Sequence, residues 1–276
     1  MKLDRNTATI MLLLALSVTA YGQPSWDVVR MAPGVYLNDM CMLDDGLHGW
    51  AVGGQSLAQQ AFSVVFRTTD GGADWEQLDF PYSSQTVLDG VAFVDEMSGW
   101  VVGSGGRIFA TIDGGDSWVS QNSGTSLDFR SVHFLDTQNG WITGESGGGN
   151  THPVFRTTDG GATWQDLSFG TTCYANDCIF FADELLGWIS GWDNTLNPHI
   201  HHTKDGGVTW TRQTTPVPSG AGTVARVQFA DPMVGWATVS SIYQAPAGAI
   251  LHTTNGGATW SVQGYTGLDY NYGLDV

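Results

Sequence analysis

Apolar residues in this chain come in short bursts separated by turn residues, and the bursts recur at a fixed spacing. Residues 91–121 are the cleanest copy: Val91-Ala-Phe-Val-Asp95 predicts a short strand, Glu96 to Gly99 a turn, and Trp100-Val-Val-Gly103 a second strand. The Gly105-Gly106 pair then turns the chain. Arg107 to Ile112 predict a third strand, Asp113-Gly-Gly-Asp116 a tight turn, and Ser117 to Gln121 a fourth strand opened by Trp118. Beyond the N-terminal segment no stretch carries the length and period of a long helix.

The same unit returns along the chain. One phrase occurs five times: Thr68-Thr-Asp-Gly-Gly-Ala-Asp-Trp75, Thr111-Ile-Asp-Gly-Gly-Asp-Ser-Trp118, Thr157-Thr-Asp-Gly-Gly-Ala-Thr-Trp164, Thr203-Lys-Asp-Gly-Gly-Val-Thr-Trp210 and Thr253-Thr-Asn-Gly-Gly-Ala-Thr-Trp260. A Gly-Trp phrase runs in step with it at Trp50, Trp100, Trp141, Trp188 and Trp236. Two motifs locked to one period of 41 to 50 residues define one structural unit, and four antiparallel strands in that length make a β-propeller blade. The expectation is an all-β propeller with blades over roughly 35–80, 87–122, 128–169, 175–214 and 223–264. Trp26 echoes the fourth-strand Trp without three preceding strands, and Leu268 to Val276 echoes the approach to a first strand. Residues 25–30 and 268–276 are therefore expected to be partial-blade strands, so that five complete blades belong to a six- to eight-bladed ring; pairing of the two ends to close a smaller ring is the alternative.

Composition adds the compartment. Residues 1–22 have a basic start (Lys2, Arg5), an apolar stretch (Ile10 to Leu16) and small residues (Ala20, Gly22), the layout of a signal peptide, and leave 23–276 as the repeat domain of a secreted, periplasmic or cell-surface protein. No later segment is apolar enough to span a bilayer, so no membrane insertion is expected after cleavage. The formal charge is −17, with 10 Lys and Arg in all, which argues against nucleic acid, whose counterions must be displaced by clustered cations. Cys41, Cys173 and Cys178 are too few for a disulfide framework, although Cys173 and Cys178 could close a small loop.

The repeated carboxylates invite a catalytic or calcium reading, yet each sits alone in a Gly-rich turn. Asp70, Asp113, Asp159, Asp205 and Asn255 are read as turn fasteners, and Trp75, Trp118, Trp164, Trp210 and Trp260 as packing at the blade seams. No catalytic residue, cofactor or metal is expected. In the run His199, His201 and His202, alternation sends the first two to one side of a strand and the third to the other, which argues against a three-ligand metal site.

These residues resemble the Asp-box (BNR) repeat, Ser/Thr-x-Asp-x-Gly-x-Thr/Ser-Trp, shared by sialidases, sortilin-type receptors, xyloglucanases and photosystem II stability/assembly factor proteins. The added phrase Phe-x-Asp-x-x-x-Gly-Trp, at Phe93 to Trp100 and Phe134 to Trp141, is most similar to the last group. Asp74 and Asn255 depart from the box. The resemblance implies a propeller that meets ligands on the face of the second-to-third-strand loops. It does not carry sialidase chemistry, since the nearest string to that family's Arg-Ile-Pro is Arg107-Ile-Phe109. It likewise carries no basic patch of the kind the photosystem factors use.

Copies differ most in the second-to-third-strand loops: Gln55 to Ala61, Glu145 to Pro153, Trp192 to Pro198 and Ser240 to Ala247 are insertions relative to Ser104-Gly-Gly106. Trp192 is the one Trp outside the repeated positions. With Asp193, Tyr174 and Tyr243 it is the candidate ligand site. The expected function is a non-catalytic propeller scaffold binding a protein or glycan through this loop face. The alternatives are a glycoside hydrolase, for which Glu145, Asp166 and Asp193 are the carboxylates to inspect, and a photosystem-type membrane-complex assembly factor.

Overall fold

The computed structural model describes residues 14–17, 25–28, 34–57, 60–81, 86–149, 151–170, 172–220, 222–240 and 248–265. It is an all-β protein with five four-stranded antiparallel sheets arranged as propeller blades, and no α-helix is found among the described residues. The first blade is β3 (Val35–Met42), β4 (Gly49–Leu57), β5 (Gln60–Thr68) and β6 (Glu76–Leu78). The second is β7 (Leu88–Phe93), β8 (Gly99–Gly103), β9 (Arg107–Thr111) and β10 (Val119–Asn122). The third is β11 (Phe129–Phe134), β12 (Gly140–Gly144), β13 (Val154–Thr157) and β14 (Gln165–Asp166). β15 (Ala175–Phe181), β16 (Gly187–Trp192), β17 (Pro198–Thr203) and β18 (Thr211–Gln213) form the fourth. The fifth is β19 (Thr223–Phe229), β20 (Gly235–Ser240), β21 (Ala249–Thr253) and β22 (Ser261–Tyr265).

Strands β1 (Leu14–Ser17) and β2 (Ser25–Val28) pair antiparallel in a separate two-stranded sheet. A strand does form at Trp26, then, but its partner is an apolar piece of the segment read as a signal peptide and not a blade. The remainder of 1–22 and the expected partial strand over 268–276 lie outside the described residues.

Two compact units are present, one holding the first two blades and the other the last three. In the first, Trp50, Val52, Val65, Leu88, Val101 and Phe109 form one buried cluster spanning both blades. In the second, Trp141, Ile179, Phe181 and Ile189 pack across the third and fourth blades, and Trp188, Ile200, Val227 and Leu251 across the fourth and fifth. Every first strand described with its register carries a bulge, for example between Asn176 and Cys178, that kinks the strand near its loop end.

Candidate functional site

The repeated Asp residues are consumed by their own turns. In the second blade Thr111 Oγ1 donates to Asp113 Oδ1 (2.7 Å) and accepts from Gly115 N (2.9 Å), while Ser117 N and Oγ donate to the two Asp113 oxygens at 2.9 and 2.5 Å. The hydroxyls of Ser117 and Thr111 hold the Asp113 carboxyl below its ordinary value. Gly114 and Gly115 sit at φ 73 and 97, the left-handed conformation this turn requires. The Asp159 and Asp205 turns repeat the pattern, and Asn255 reproduces it through its amide, which donates to Thr259 Oγ1 at 2.9 Å.

The Gly-Trp tryptophans clasp neighbouring blades. Trp50, Trp141 and Trp188 are fully buried. Their indole N–H groups donate to the next blade's box carbonyls, Gly114 at 2.9 Å, Gly206 at 3.0 Å and Gly256 at 3.2 Å. Each ring also stacks on the next blade's Phe, with centroids 3.6 Å apart for Trp50–Phe93, 3.8 Å for Trp141–Phe181 and 3.7 Å for Trp188–Phe229. The carboxylates fasten the turns and the tryptophans join neighbouring blades.

Antiparallel order places the second-to-third-strand loops at the opposite end of each blade from the boxes. Gln55 to Ala61 is not a loop as expected: β4 and β5 continue through it in register to Leu57–Gln60, so the insertion lengthens a hairpin. Trp192 and Tyr174 do come together at this end of the fourth blade, with ring centroids 4.3 Å apart and Tyr174 N donating to Trp192 O at 3.2 Å. Tyr174 is 44% exposed and Trp192 is half-buried, so the pair presents ring surface. Tyr243 lies outside the described residues.

Asp193 is buried, and its position is that of a loop fastener. Its Oδ1 accepts from Thr195 N (2.9 Å), Thr195 Oγ1 (2.7 Å) and Asn197 N (3.0 Å), its Oδ2 from Asn197 Nδ2 (3.2 Å). The loop it closes carries Leu196 at φ 62 and borders a groove of about 380 Å³ lined by Asn197, Pro198, Arg212, Gln213 and Thr215. Glu145 is engaged too, since it pairs with the Arg130 guanidinium, which also donates to Asp177 at 2.9 Å. Burial pushes the Asp177 carboxyl up, opposed by Arg130 and by the Thr223 hydroxyl at 2.5 Å. Asp166 accepts from Ser168 N at 2.8 Å. The three carboxylates singled out for hydrolysis are thus bound to a backbone turn, to a cation or to both.

Just inside the aromatic pair lies a polar group that the repeat obscures. His199 and His201 project from one side of β17 and are joined there by His152, which precedes β13 and is bridged to Phe169 by backbone hydrogen bonds of 2.7 and 3.1 Å. One ring nitrogen from each of the three lies within 4.8 Å of the others. His202 does leave on the other side of the strand, where it stacks on Trp188 at 4.7 Å. Alternation along β17 could not reveal His152, 47 or more residues away in sequence. A signal was nonetheless present: His201 aligns with Phe66, Phe109, Phe155 and Leu251, and Asn176, at the centre of the group, aligns with Leu37, Leu88, Phe129 and Val224, all apolar. A second, exposed grouping, Asp45, His48 and Glu96, sits at the turn end, where His48 Nδ1 and Asp45 are 2.6 Å apart. Cys173 and Cys178 carry reduced thiols that face different partners, Asn176 Oδ1 at 3.6 Å and Val227 O at 3.5 Å.

Comparison with known proteins supports the architecture. The sequence profile of the family described as photosynthesis system II assembly factor YCF48 matches residues 73–173. The photosystem II assembly lipoprotein Ycf48 of Synechococcus sp. (strain CC9902) is 30% identical over 154 residues, which cover 53% of this chain and 42% of that protein, so the match spans less than half of the relative. Among solved structures, YCF48 from Cyanidioschyzon merolae superposes with a TM-score of 0.55 at 17% identity, covering 85% of this chain and 87% of that one. The GH74 xyloglucanase of Xanthomonas campestris superposes with a TM-score of 0.60 at 14% identity, covering 82% of this chain and 38% of that enzyme. The chain is a BNR-repeat β-propeller that resembles the photosystem II assembly factors, and the structural neighbours at these identities speak to fold alone.

Proposed function

We propose that this chain is an exported, non-catalytic propeller that binds a polypeptide at the loop end of its fourth blade, with Tyr174 and Trp192 as the aromatic anchor. The carrying observation is the exposed Tyr174–Trp192 pair beside the groove under the Asp193 loop, set on strands whose register is fixed. Aromatic rings with a polar surround supply most of the binding energy in such surfaces. Asp193, sequestered by Thr195 and Asn197, shapes the loop and does not itself meet the ligand. Similarity to proteins named for photosystem II assembly supports a polypeptide as the partner, and the segment 1–22 supports export. Glu145, Asp166 and Asp193, each tied to a turn or a cation, offer no general acid and base poised across a cleft.

Peptides selected against the purified chain from a random display library are the test. Trp192→Ala with Tyr174→Ala should retain the β-sheet circular dichroism spectrum and weaken the selected peptides by 10-fold or more, about 1.4 kcal/mol or greater. Unchanged binding by this double variant would remove the aromatic anchor. Turnover of aryl glycosides that disappears on Glu145→Gln or Asp193→Asn would replace the scaffold with a hydrolase.

A further inference from the structure

We propose that His152, His199 and His201 form a site for one divalent cation of the zinc class, tying the third blade to the fourth. The three rings are buried, with 3%, 1% and 8% of their surface exposed, and their centroids lie 4.6 to 5.1 Å apart. A cluster of this kind costs free energy because each imidazole loses its water, and His201 does so where the other blades place Phe or Leu. Hydrogen bonding inside the protein compensates only part of that cost: His199 Nδ1 and His201 Nδ1 are buried without any hydrogen-bond partner. An imidazole nitrogen that meets neither water nor a protein donor is in the state a metal ligand requires, a lone pair already stripped of solvent.

Asn176 organises the rings. Its amide nitrogen donates to Thr143 Oγ1 at 2.9 Å, and Thr143 Oγ1 in turn donates to Pro153 O at 2.6 Å, which fixes the orientation of the carboxamide. Oδ1 then faces the histidines, 2.9 Å from His152 Nδ1 and 3.0 Å from His199 Nε2, with the Cys173 thiol at 3.6 Å. Both ring nitrogens must donate to it, so each ring keeps its lone pair on its other nitrogen, His152 Nε2 and His199 Nδ1. A buried oxygen that accepts the second N–H of the imidazoles is the usual support of a histidine metal site.

Neutral imidazoles select zinc, copper or nickel over calcium and magnesium, and three of them suit tetrahedral zinc. Tetrahedral coordination at 2.0–2.1 Å sets nitrogens about 3.3 Å apart, closer than the 4.8 Å within which one nitrogen of each ring lies, so binding turns and draws the rings together until His152 Nε2, His199 Nδ1 and a His201 nitrogen meet the ion. Arg212 opposes the added charge from the groove side and Asp193 favours it; the two face each other at 3.9 Å. Held among buried rings, the cation acts as a clamp. His152 stands ahead of β13 in the third blade, and His199 and His201 lie on β17 in the fourth, so one ion joins the two sheets.

Untagged full chain, stripped with EDTA and titrated with ZnCl2 by calorimetry, should bind one tight equivalent, and zinc should raise its melting temperature. His201→Phe restores the residue type of Phe66, Phe109 and Phe155; it should fold and lose at least about 100-fold in zinc affinity. Asn176→Leu, by the same logic, should weaken zinc by about 10- to 100-fold. No tight equivalent in the wild-type chain, or equal binding by His201→Phe, overturns the site. Zinc-edge X-ray absorption on the wild-type protein supplies a test independent of either variant: three imidazoles support the assignment, and fewer than three refute it.

Discussion

At the scale of single residues, His133 shows how one side chain couples the fold to pH. Its ring packs against Phe180 with centroids 5.1 Å apart, and its Nε2–H donates to Phe181 O at 2.9 Å. Burial lowers its pKa from 6.5 to about 4, partly opposed by that hydrogen bond. A histidine depressed in this way binds fewer protons folded than unfolded. Its contribution is fully present above pH 6.5 and is lost as the pH falls toward 4. His133→Phe, which copies Phe180 at the equivalent place in the next blade, removes the titrating group. Urea unfolding at pH 7 and at pH 4.5 should show wild type losing about 2 kcal/mol more than the variant between the two conditions, with the variant's constant offset from the lost hydrogen bond cancelling in that difference. Equal losses would mean that the ring is protonated without cost in the folded state.

At the scale of the element, the box hairpin is the unit whose chemistry decides stability, and the first copy is incomplete. Where Ser117, Thr163, Thr209 and Thr259 each link a hydroxyl to the box side chain, the first blade has Asp74, which donates only its backbone N–H to Asp70 and sets a second carboxylate beside the first. Asp74→Thr supplies the missing donor and removes a like charge. Because the turn is exposed, the gain should be about 0.5–1 kcal/mol, visible as a higher urea midpoint at unchanged slope. Strands, turns and blade order were legible in the sequence because they rest on local rules: period-2 alternation, Gly pairs with positive φ, and a Trp at a fixed place. The candidate site was legible only in part. Trp192 and Tyr174 meet because they flank neighbouring strands at one register, so their juxtaposition could be expected, whereas Asp193 looks free in sequence and is claimed by its own loop. The histidine group needed the tertiary contact of His152 with β17, a pairing between blades that alternation along one strand does not encode. Comparing repeats column by column for a polar residue in an apolar place, as at Asn176 and His201, is the reading that recovers it.

At the scale of the whole molecule, charge is the dominant imbalance: 27 acidic residues face 10 basic ones. The acids are used where they are local, in turns and boxes. Cationic partners are few; Arg67 pairs with Glu76 and Asp116, Arg130 with Glu145 and Asp177, and Arg212 faces Asp193. Sodium chloride acts on attraction and repulsion alike. It screens these pairs, several of them half-exposed and individually weak, and it screens the repulsion among the many carboxylates in excess of the cations, which grows with the square of net charge. At a formal charge of −17 the repulsion outweighs the pairs. Raising sodium chloride from about 10 mM, where the Debye length is about 30 Å, to about 150 mM, where it is about 8 Å, should therefore raise the melting temperature at pH 7 by about 2–4 °C. A differential scanning calorimetry series in buffer held at constant pH measures it. A fall in melting temperature would show that the arginine-centred pairs outweigh the field of the whole chain, and would assign Arg130, between Glu145 and Asp177, a larger share of the stability than its exposure suggests.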